Sequence, residues 1–176
     1  MPETERLILR RFVEADANAV FQMRSDAEFM RFIKTPETAR QAIAWMRMVS
    51  RYWETDNFGF WAVVLKENKK VVGWSGTWTL GETNEPEIGF AIARRFAGKG
   101  LATEAARAAL DYNFKERGAA KSVALAFPEN AASRRVMEKL GMRFAAERYF
   151  ESYGKQLVYY EILREEYARN RQTAAA

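Results

Sequence analysis

Residues 97–105 read Ala97-Gly98-Lys99-Gly100-Leu101-Ala102-Thr103-Glu104-Ala105. This stretch falls between a predicted strand and a long, alanine-rich predicted helix. Glycines permit a tight turn with positive φ and let a ligand approach the backbone closely. The helix that follows begins with unpaired N–H groups and a partial positive charge, which favour an anion. The stretch therefore predicts a pyrophosphate site, with an unliganded strand-to-helix turn as the alternative.

Two other phosphate-binding motifs fit this stretch less well. A Walker motif is excluded because no Gly-Lys pair in the chain is followed directly by Ser or Thr. A dinucleotide-binding motif is half-matched by Gly98, Gly100 and Thr103. That motif follows the first strand of a parallel sheet, whereas this stretch follows a predicted antiparallel meander.

Outward from this stretch, hydropathy and turn signals predict the other elements. Strands are predicted at residues 6–12, 58–66, 70–80, 87–93, 121–127, 142–151 and 155–163, and helices at about 14–26, from Pro36 onward, at 98–117 and at 130–140. The order combines an antiparallel meander with one strand–helix–strand crossover. It predicts a mixed α/β, α+β-like class with a central, mostly antiparallel mixed sheet flanked by helices. Residues 1–170 are predicted to form a single domain, and residues 171–176 a disordered tail.

Two absences from the composition constrain the chemistry. The 176 residues include no cysteine, so disulfides, thiolate nucleophiles and zinc–thiolate sites are excluded. They include no histidine either, which excludes Ser-His-Asp catalysis and His-ligated metals. Acid–base work must therefore fall to carboxylates, Tyr, Lys, hydroxyls or water, and no metal site is predicted.

Charge and hydropathy suggest where the protein works and with what. The net charge of +5 is either a solubility margin or an attraction for a polyanionic ligand. Lys and Arg are scattered, so nucleic acid is not the expected partner. No apolar run approaches the roughly 18 residues of a membrane span, and the first residues are charged. We expect a cytoplasmic monomer or homodimer without a membrane partner.

Five short motifs, in order along nearly the whole chain, resemble one family. They are Thr4–Arg10, Glu87–Phe90, Gly98–Ala105, Pro128–Ser133 and Glu138–Met142. Together they resemble the GNAT superfamily of N-acetyltransferases, and especially its ribosomal-protein N-terminal (RimJ/RimL-like) branch. The resemblance implies a GNAT-like fold whose splayed strands hold the cofactor. It also implies acetyl-CoA as cosubstrate.

The resemblance assigns a cofactor-binding role to specific positions. The family's pyrophosphate loop has the form Gln/Arg-x-x-Gly-x-Gly/Ala and falls on residues 97–102, where Ala97 departs from the pattern. The backbone near Ile92 is expected to meet the pantetheine arm, and Asn130 the thioester end. For Asn130, a structural role as helix N-cap with Ser133 in the first turn is an equal alternative. The predicted cofactor-binding residues are Ile92, Ala97, Gly98, Lys99, Gly100, Leu101, Ala102, Thr103 and Asn130.

Catalysis by direct attack of an amine on the thioester needs a base and a proton donor. In the absence of histidine, Glu87 is the predicted base, acting directly or through water. The alternative for Glu87 is an exposed strand carboxylate paired with Arg or Lys. Ser133 and Tyr160 are predicted to protonate the departing thiolate, with Tyr159 as a weaker candidate. Tyrosines in a final strand are also common packing residues.

The predicted function is transfer of an acetyl group from acetyl-CoA to a primary amine in a ternary complex. The acceptor is either a protein N-terminal α-amine or a small-molecule amine, because fold and cofactor site do not specify it. Trp74 and Trp78 share strand parity and are candidates for an aromatic wall of the acceptor pocket. One alternative is a non-catalytic acyl-CoA-binding module of the same fold, and another is a non-catalytic protein that binds nucleic acid.

Overall fold

The fold was obtained as a computed structural model that describes residues 1–173. The strands are β1 (Leu7–Arg10), β2 (Phe60–Leu65), β3 (Val71–Leu80), β4 (Glu85–Ile92), β5 (Lys121–Ala126), β6 (Arg143–Phe150) and β7 (Lys155–Leu163). The helices are α1 (Ala17–Arg24), α2 (Ala27–Met30), α3 (Ala39–Thr55), α4 (Leu101–Lys115), α5 (Ala131–Lys139) and α6 (Arg164–Thr173). Short 3-10 turns precede α1 and α4, at Glu14–Asp16 and Arg94–Phe96.

The strands hydrogen-bond in the order β1-β2-β3-β4-β5-β7-β6. The pairs β1–β2, β2–β3, β5–β7 and β6–β7 are antiparallel. The pair β4–β5 is parallel and is joined by α4, which is the predicted strand–helix–strand crossover. The predicted class, a mixed α/β fold with a mostly antiparallel sheet flanked by helices, is confirmed.

The chain packs as two compact units, each with its own core. The first unit comprises residues 1–76 and 90–108, and the second comprises residues 77–89 and those from 109 onward. In the first unit, the core is built from helices α1 to α3 against β2 and β3, with Val20, Met46 and Trp74 among its members. In the second unit, a smaller apolar cluster includes Leu80, Val123, Phe150, Leu157 and Tyr159.

Helix α3 begins three residues later than the sequence predicted. Thr38 is its N-cap: the Thr38 hydroxyl accepts the Gln41 N–H at 3.4 Å, and the Gln41 side chain accepts the Thr38 N–H at 2.9 Å. This reciprocal capping box decides the helix start. Pro36 therefore lies before the helix rather than in its first turn.

Residues 164–173 form a helix that the sequence analysis did not predict. The sequence analysis assigned no helix after β7 and expected disorder from residue 171, but α6 continues through Thr173. Its anchor is Tyr167, which is 4% exposed and packs against Phe114 with ring centroids 5.1 Å apart. Residues 174–176 of the predicted tail lie outside the described residues. Among the described residues, no helix is long and apolar enough to cross a membrane.

Candidate active site

The glycine-containing loop before α4 has the backbone conformation that an anion site requires. Gly98 and Gly100 adopt φ values of +76° and +78°, in the left-handed region that favours glycine. These two residues also explain why α4 begins at Leu101 and not at Gly98, because left-handed residues cannot continue a right-handed helix. Residues 97–100 are exposed, and a Cβ added at Gly98 would meet no heavy atom within 4 Å. The loop thus offers open space beside its backbone.

All seven predicted loop residues, 97–103, lie in this segment or in the first turn of α4. The N–H groups of that first turn have no acceptor within the helix and point out of its N-terminal end. Lys99, Arg94 and Arg95 are exposed around the loop. Together, backbone donors and surface cations make this segment electropositive, as a pyrophosphate site requires.

Glu104 of α4 is held by a clasp from the N-terminal segment. The Thr4 hydroxyl donates to Glu104 Oε1 at 2.5 Å, and the Arg6 backbone N–H donates to the same oxygen at 2.9 Å. Arg6 Nε donates to Glu104 Oε2 at 2.7 Å, and Arg6 Nη1 donates to the Lys99 carbonyl at 2.8 Å. The sequence analysis did not include Arg6 or Glu104 among the site residues. Arg6 lies in the motif Thr4–Arg10 and Glu104 in the motif Gly98–Ala105. Their opposite charges were the sequence signal that could have predicted this pair.

Ile92 ends strand β4, directly before the loop segment. The next residue, Ala93, donates its N–H to the Val72 carbonyl of β3 at 2.8 Å, which fixes the end of β4 against its neighbour. The predicted contact of the Ile92 backbone with a pantetheine arm stays a prediction.

Asn130 is the N-cap of α5, as the structural alternative held. Its side-chain oxygen accepts the Ser133 N–H at 3.2 Å, so both residues belong to one capping arrangement. The Asn130 side-chain nitrogen is not used by this cap. A cofactor contact by Asn130 therefore stays a prediction.

Glu87 of β4 is buried, which differs from the alternative interpretation of an exposed strand carboxylate. It is only 7% exposed, so it is not a surface carboxylate paired with Arg or Lys. Its role as the base stays a prediction. The Tyr153 hydroxyl contacts both carboxylate oxygens, at 3.0 and 2.8 Å. Burial raises the pKa of Glu87 to about 7; the Tyr153 hydrogen bond opposes this rise, and the negative charge of Glu82 adds to it.

A second carboxylate holds Tyr153 in place through its neighbour. Glu82 accepts the Ser152 N–H at 2.7 Å and the Ser152 hydroxyl at 2.8 Å, and these two bonds hold the pKa of Glu82 below its ordinary value. The turn between β6 and β7 is thereby tied to the turn before β4. The sequence analysis interpreted residues 152–154 only as a hairpin turn, so Tyr153 was missed.

Tyr160 and Glu87 lie on opposite faces of the sheet. Glu87 is in register with Val123, and Val123 is in register with Glu161, so these three side chains share a face. Tyr160 is adjacent to Glu161 on β7 and therefore points to the other face. The structure does not bring the predicted base and this predicted acid together on one face.

The hydroxyls of both candidate tyrosines of β7 are already engaged. Tyr160 donates to Glu138 Oε1 at 3.1 Å and accepts from Arg134 Nε at 3.3 Å, both on α5. Tyr159 donates to Glu85 Oε2 at 2.7 Å, and burial together with the Glu85 carboxylate raises the pKa of Tyr159 to about 12. Both residues are buried, and the hydroxyl of each already has a hydrogen-bond partner, as is typical of tyrosines that pack in a core.

The first unit also contains an aromatic cleft of about 490 Å³. Its lining includes a bidentate ion pair between Arg24 and Glu37, at 2.7 Å for each bond, and both side chains are buried. The Arg24 guanidinium lies 3.9 Å from the centroid of the Trp45 ring. Trp74, one of the two predicted wall residues, lines this cleft; Trp78 lies in the second unit. Among the described residues, no cluster of acidic side chains that could hold a metal ion is present.

Comparison with known proteins gives consistent matches. A family profile described as "Acetyltransferase (GNAT) domain" matches residues 6–143. The uncharacterized N-acetyltransferase YnaD of Bacillus subtilis is 34% identical over 143 residues, which cover 80% of this chain and 81% of YnaD. The FsC-acetyl coenzyme A-N(2)-transacetylase of Aspergillus fumigatus is 30% identical over 167 residues, which cover 82% of this chain and 68% of that protein.

Among solved structures, the acetyltransferase (GNAT family) from Bacillus anthracis has a TM-score of 0.81 to this chain. The two are 30% identical in sequence, and the match covers 93% of this chain and 98% of that one. The likeness extends over nearly the full length of both chains, so it concerns the whole fold rather than one motif.

Proposed function

The chain belongs to the GNAT family of acetyl-CoA-dependent acyltransferases, and from that premise we propose that it transfers an acetyl group to a primary amine by direct attack within a ternary complex. The observation that carries the proposal is the buried carboxylate of Glu87, whose pKa of about 7 suits a general base at neutral pH. The acceptor is a small-molecule amine or a protein N-terminal amine.

The residues of the loop before α4 fit the pyrophosphate of acetyl-CoA. The open space beside Gly98 and the left-handed turns at Gly98 and Gly100 leave room for phosphate oxygens against the backbone. Backbone N–H groups of residues 98–103 would hold the pyrophosphate, and Lys99 would add a screened charge. When bound, acetyl-CoA supplies an acetyl thioester, which is the activated acyl group of the reaction.

The amine must lose a proton to attack. At pH 7, deprotonation of a lysine-like amine costs roughly 4–5 kcal/mol, whereas an α-amino group with a pKa near 8 needs only about 1 kcal/mol. Glu87, with a pKa close to the working pH, accepts this proton directly or through one water. The amine nitrogen then forms the new C–N bond as the C–S bond breaks, and the sulfur leaves as a thiolate.

Tyr153 sets the strength and orientation of this base. Its hydroxyl stabilises the ionised carboxylate, so it limits the rise in the pKa of Glu87 that burial causes. The Glu82–Ser152 bonds keep the Tyr153 turn in reach of Glu87. Tyr153 therefore acts through Glu87 as a positioning residue.

The thiolate also needs a proton, and Ser133 is the donor that we retain. Tyr160 was the other predicted donor, but its hydroxyl already donates to Glu138 and accepts from Arg134. Ser133 follows the N-cap of α5, and its backbone N–H, not its hydroxyl, makes the capping bond.

The acceptor is the finer part of the proposal. The Aspergillus relative is named for acetyl transfer from acetyl coenzyme A to a nitrogen designated N(2), which supports acetyl transfer to a nitrogen. Trp74 lines the cleft of the first unit, and its role as a wall of the acceptor pocket stays a prediction. A ribosomal-protein acceptor remains the alternative that the motif resemblance favours.

A thiol-release assay with a panel of amines tests the proposal. Purified protein is mixed with acetyl-CoA and each amine, and free coenzyme A is detected with a thiol-reactive dye. We expect release that requires both protein and amine. Tight binding of acetyl-CoA without release for any small amine or N-terminal peptide would instead favour the non-catalytic acyl-CoA-binding module.

A further inference from the structure

Arg6, the residue directly before β1, contacts the predicted phosphate loop through its side chain. The Arg6 guanidinium bridges two partners: Nη1 donates to the Lys99 carbonyl at 2.8 Å, and Nε and Nη2 lie 2.7 and 2.6 Å from Glu104 Oε2. Resting on the proposed function, we propose that Arg6 is a positioning residue that holds the loop backbone ready for the pyrophosphate of acetyl-CoA.

The Lys99 carbonyl is the contact that controls the loop. In a planar trans peptide, the C=O of one residue and the N–H of the next point in opposite directions. Because Arg6 holds the Lys99 carbonyl, it turns the Gly100 N–H to the other side, away from the guanidinium. Gly100 has no side chain to restrict its backbone, which adopts a positive φ here, so an external contact is needed to fix the peptide plane.

Glu104 would oppose an anion without this clasp. It lies in the first turn of α4, where the helix end attracts negative charge, and its carboxylate therefore competes with a phosphate for the same end. Although partial burial acts against ionisation, hydrogen bonds from Thr4 and Arg6 hold the pKa of Glu104 below its ordinary value. Arg6 neutralises this charge and turns the carboxylate toward the N-terminal strand, which leaves the backbone donors of the helix end available.

The clasp differs from an ordinary surface ion pair in the burial of its carboxylate. The Glu104 side chain is 15% exposed, whereas the Arg6 side chain is 45% exposed. The carboxylate receives bonds from a hydroxyl, a backbone N–H and a guanidinium. By contrast, Arg47 and Glu14 form a pair in which the side chains are 63% and 70% exposed. Pairs of that exposed kind contribute little to stability. Arg47 therefore provides a matched control for an Arg6 substitution.

The test compares a ligand that carries the pyrophosphate with one that lacks it. Coenzyme A is pantetheine joined through a pyrophosphate to a 3′-phosphorylated adenosine, so pantetheine lacks both the pyrophosphate and the nucleotide. Both ligands are titrated by calorimetry into the wild-type chain, Arg6→Gln and Arg47→Gln. We expect Arg6→Gln to weaken coenzyme A binding by about 10- to 100-fold, the range of a charge-assisted hydrogen bond. Pantetheine binding should be unchanged in all three proteins, and Arg47→Gln should bind both ligands as the wild type does.

A structural role alone would give a different pattern. If Arg6 only stabilised the fold, Arg6→Gln would lower the thermal midpoint without a selective loss for coenzyme A, and that result would overturn the inference. Arg6→Lys keeps the charge but replaces the planar guanidinium, whose separate N–H groups contact the Lys99 carbonyl and Glu104, with a single ammonium nitrogen. It is therefore predicted to lose coenzyme A affinity while folding normally. If Arg6→Gln fails to fold, Arg6→Lys takes its place in the titration. Wild-type affinity for coenzyme A in Arg6→Lys would also overturn the inference. Failure of the wild type itself to bind coenzyme A would reject the proposed function and this inference with it.

Discussion

The Tyr153 hydroxyl lies 3.0 and 2.8 Å from the two carboxylate oxygens of Glu87 and donates its hydrogen bond to them. Glu87 itself is only 7% exposed. Burial raises the pKa of Glu87, and this hydrogen bond works in the opposite direction. The balance of the two effects places the pKa of Glu87 near 7, so that at neutral pH the carboxylate both accepts and releases a proton readily.

Tyr153→Phe is expected to shift the pH dependence of catalysis upward. Loss of a hydrogen bond to a charged group removes about 1.5–3 kcal/mol of stabilisation from the carboxylate, equivalent to roughly 1–2 pH units. The ascending limb of kcat/KM against pH should therefore move from about pH 7 toward higher pH. Tyr149→Phe is the control, because it alters an exposed tyrosine of β6, the strand before the turn that contains Tyr153. It should keep the wild-type profile. An unchanged profile in Tyr153→Phe would argue against a role for this bond in tuning the base.

The raised pKa of Glu87 also predicts a pH dependence of stability. A carboxyl group whose pKa is higher in the folded state holds its proton more tightly there, so its contribution is complete below about pH 4.5 and is lost as the pH rises through about 7. The difference corresponds to about 3 kcal/mol. Urea unfolding of the wild type and Glu87→Gln at pH 5 and pH 8 measures it. Relative to the variant, the wild type should lose stability at the higher pH; a pH-independent difference would contradict the assignment.

The sequence predicted the architecture because each element carried a local signal. Neighbouring residues are enough to predict the alternating strands, the glycine turn before α4 and the Asn130 cap. In the structure, these elements lie within a few residues of their predicted positions. The start of α3 was misplaced because the interpretation used Pro36 and overlooked the capping pair of Thr38 and Gln41. Helix α6 was missed because its stability comes from burial of Tyr167, which no local pattern indicated.

The candidate site was predicted less completely, because its central contacts join residues far apart in sequence. Glu87 was identified from its strand, but its burial depends on Tyr153, which is 66 residues away. Arg6 and Glu104 are likewise far apart in sequence, separated by 98 residues, and come together only in the folded chain. Single-sequence patterns report neighbours along the chain, so such pairs emerge only once the topology is known.

The backbone conformation of the loop predicts a ranking of two substitutions. Gly100→Val should weaken acetyl-CoA binding more than Lys99→Ala, since a β-branched residue resists the φ of +78° that Gly100 adopts. Lys99 is exposed and contributes only a screened charge. Calorimetric titration of both variants decides the order. The reverse ranking would mean that side-chain charge, rather than backbone geometry, holds the phosphates.

The buried ion pair in the cleft predicts a large effect on stability. Glu37→Ala leaves the buried guanidinium of Arg24 without its partner, which should lower the free energy of unfolding by about 3–5 kcal/mol. Glu14→Ala removes the acidic partner of an exposed pair and should cost less than about 1 kcal/mol. Urea denaturation of both variants compares them directly, and equal losses would refute the importance of burial.

The role of Glu87 as the base is tested most directly by Glu87→Gln, assayed with an acceptor found in the amine panel. The glutamine keeps the size of the side chain but cannot accept the amine proton, so turnover should fall by about 10²- to 10⁴-fold. Acetyl-CoA affinity, measured by calorimetry, should stay nearly unchanged, because the pyrophosphate loop consists of other residues. A raised acceptor KM with normal turnover would reassign Glu87 to binding of the positively charged amine. Near-normal kcat and KM in Glu87→Gln would contradict the account and leave the proton to a water chain or to an amine that arrives already neutral.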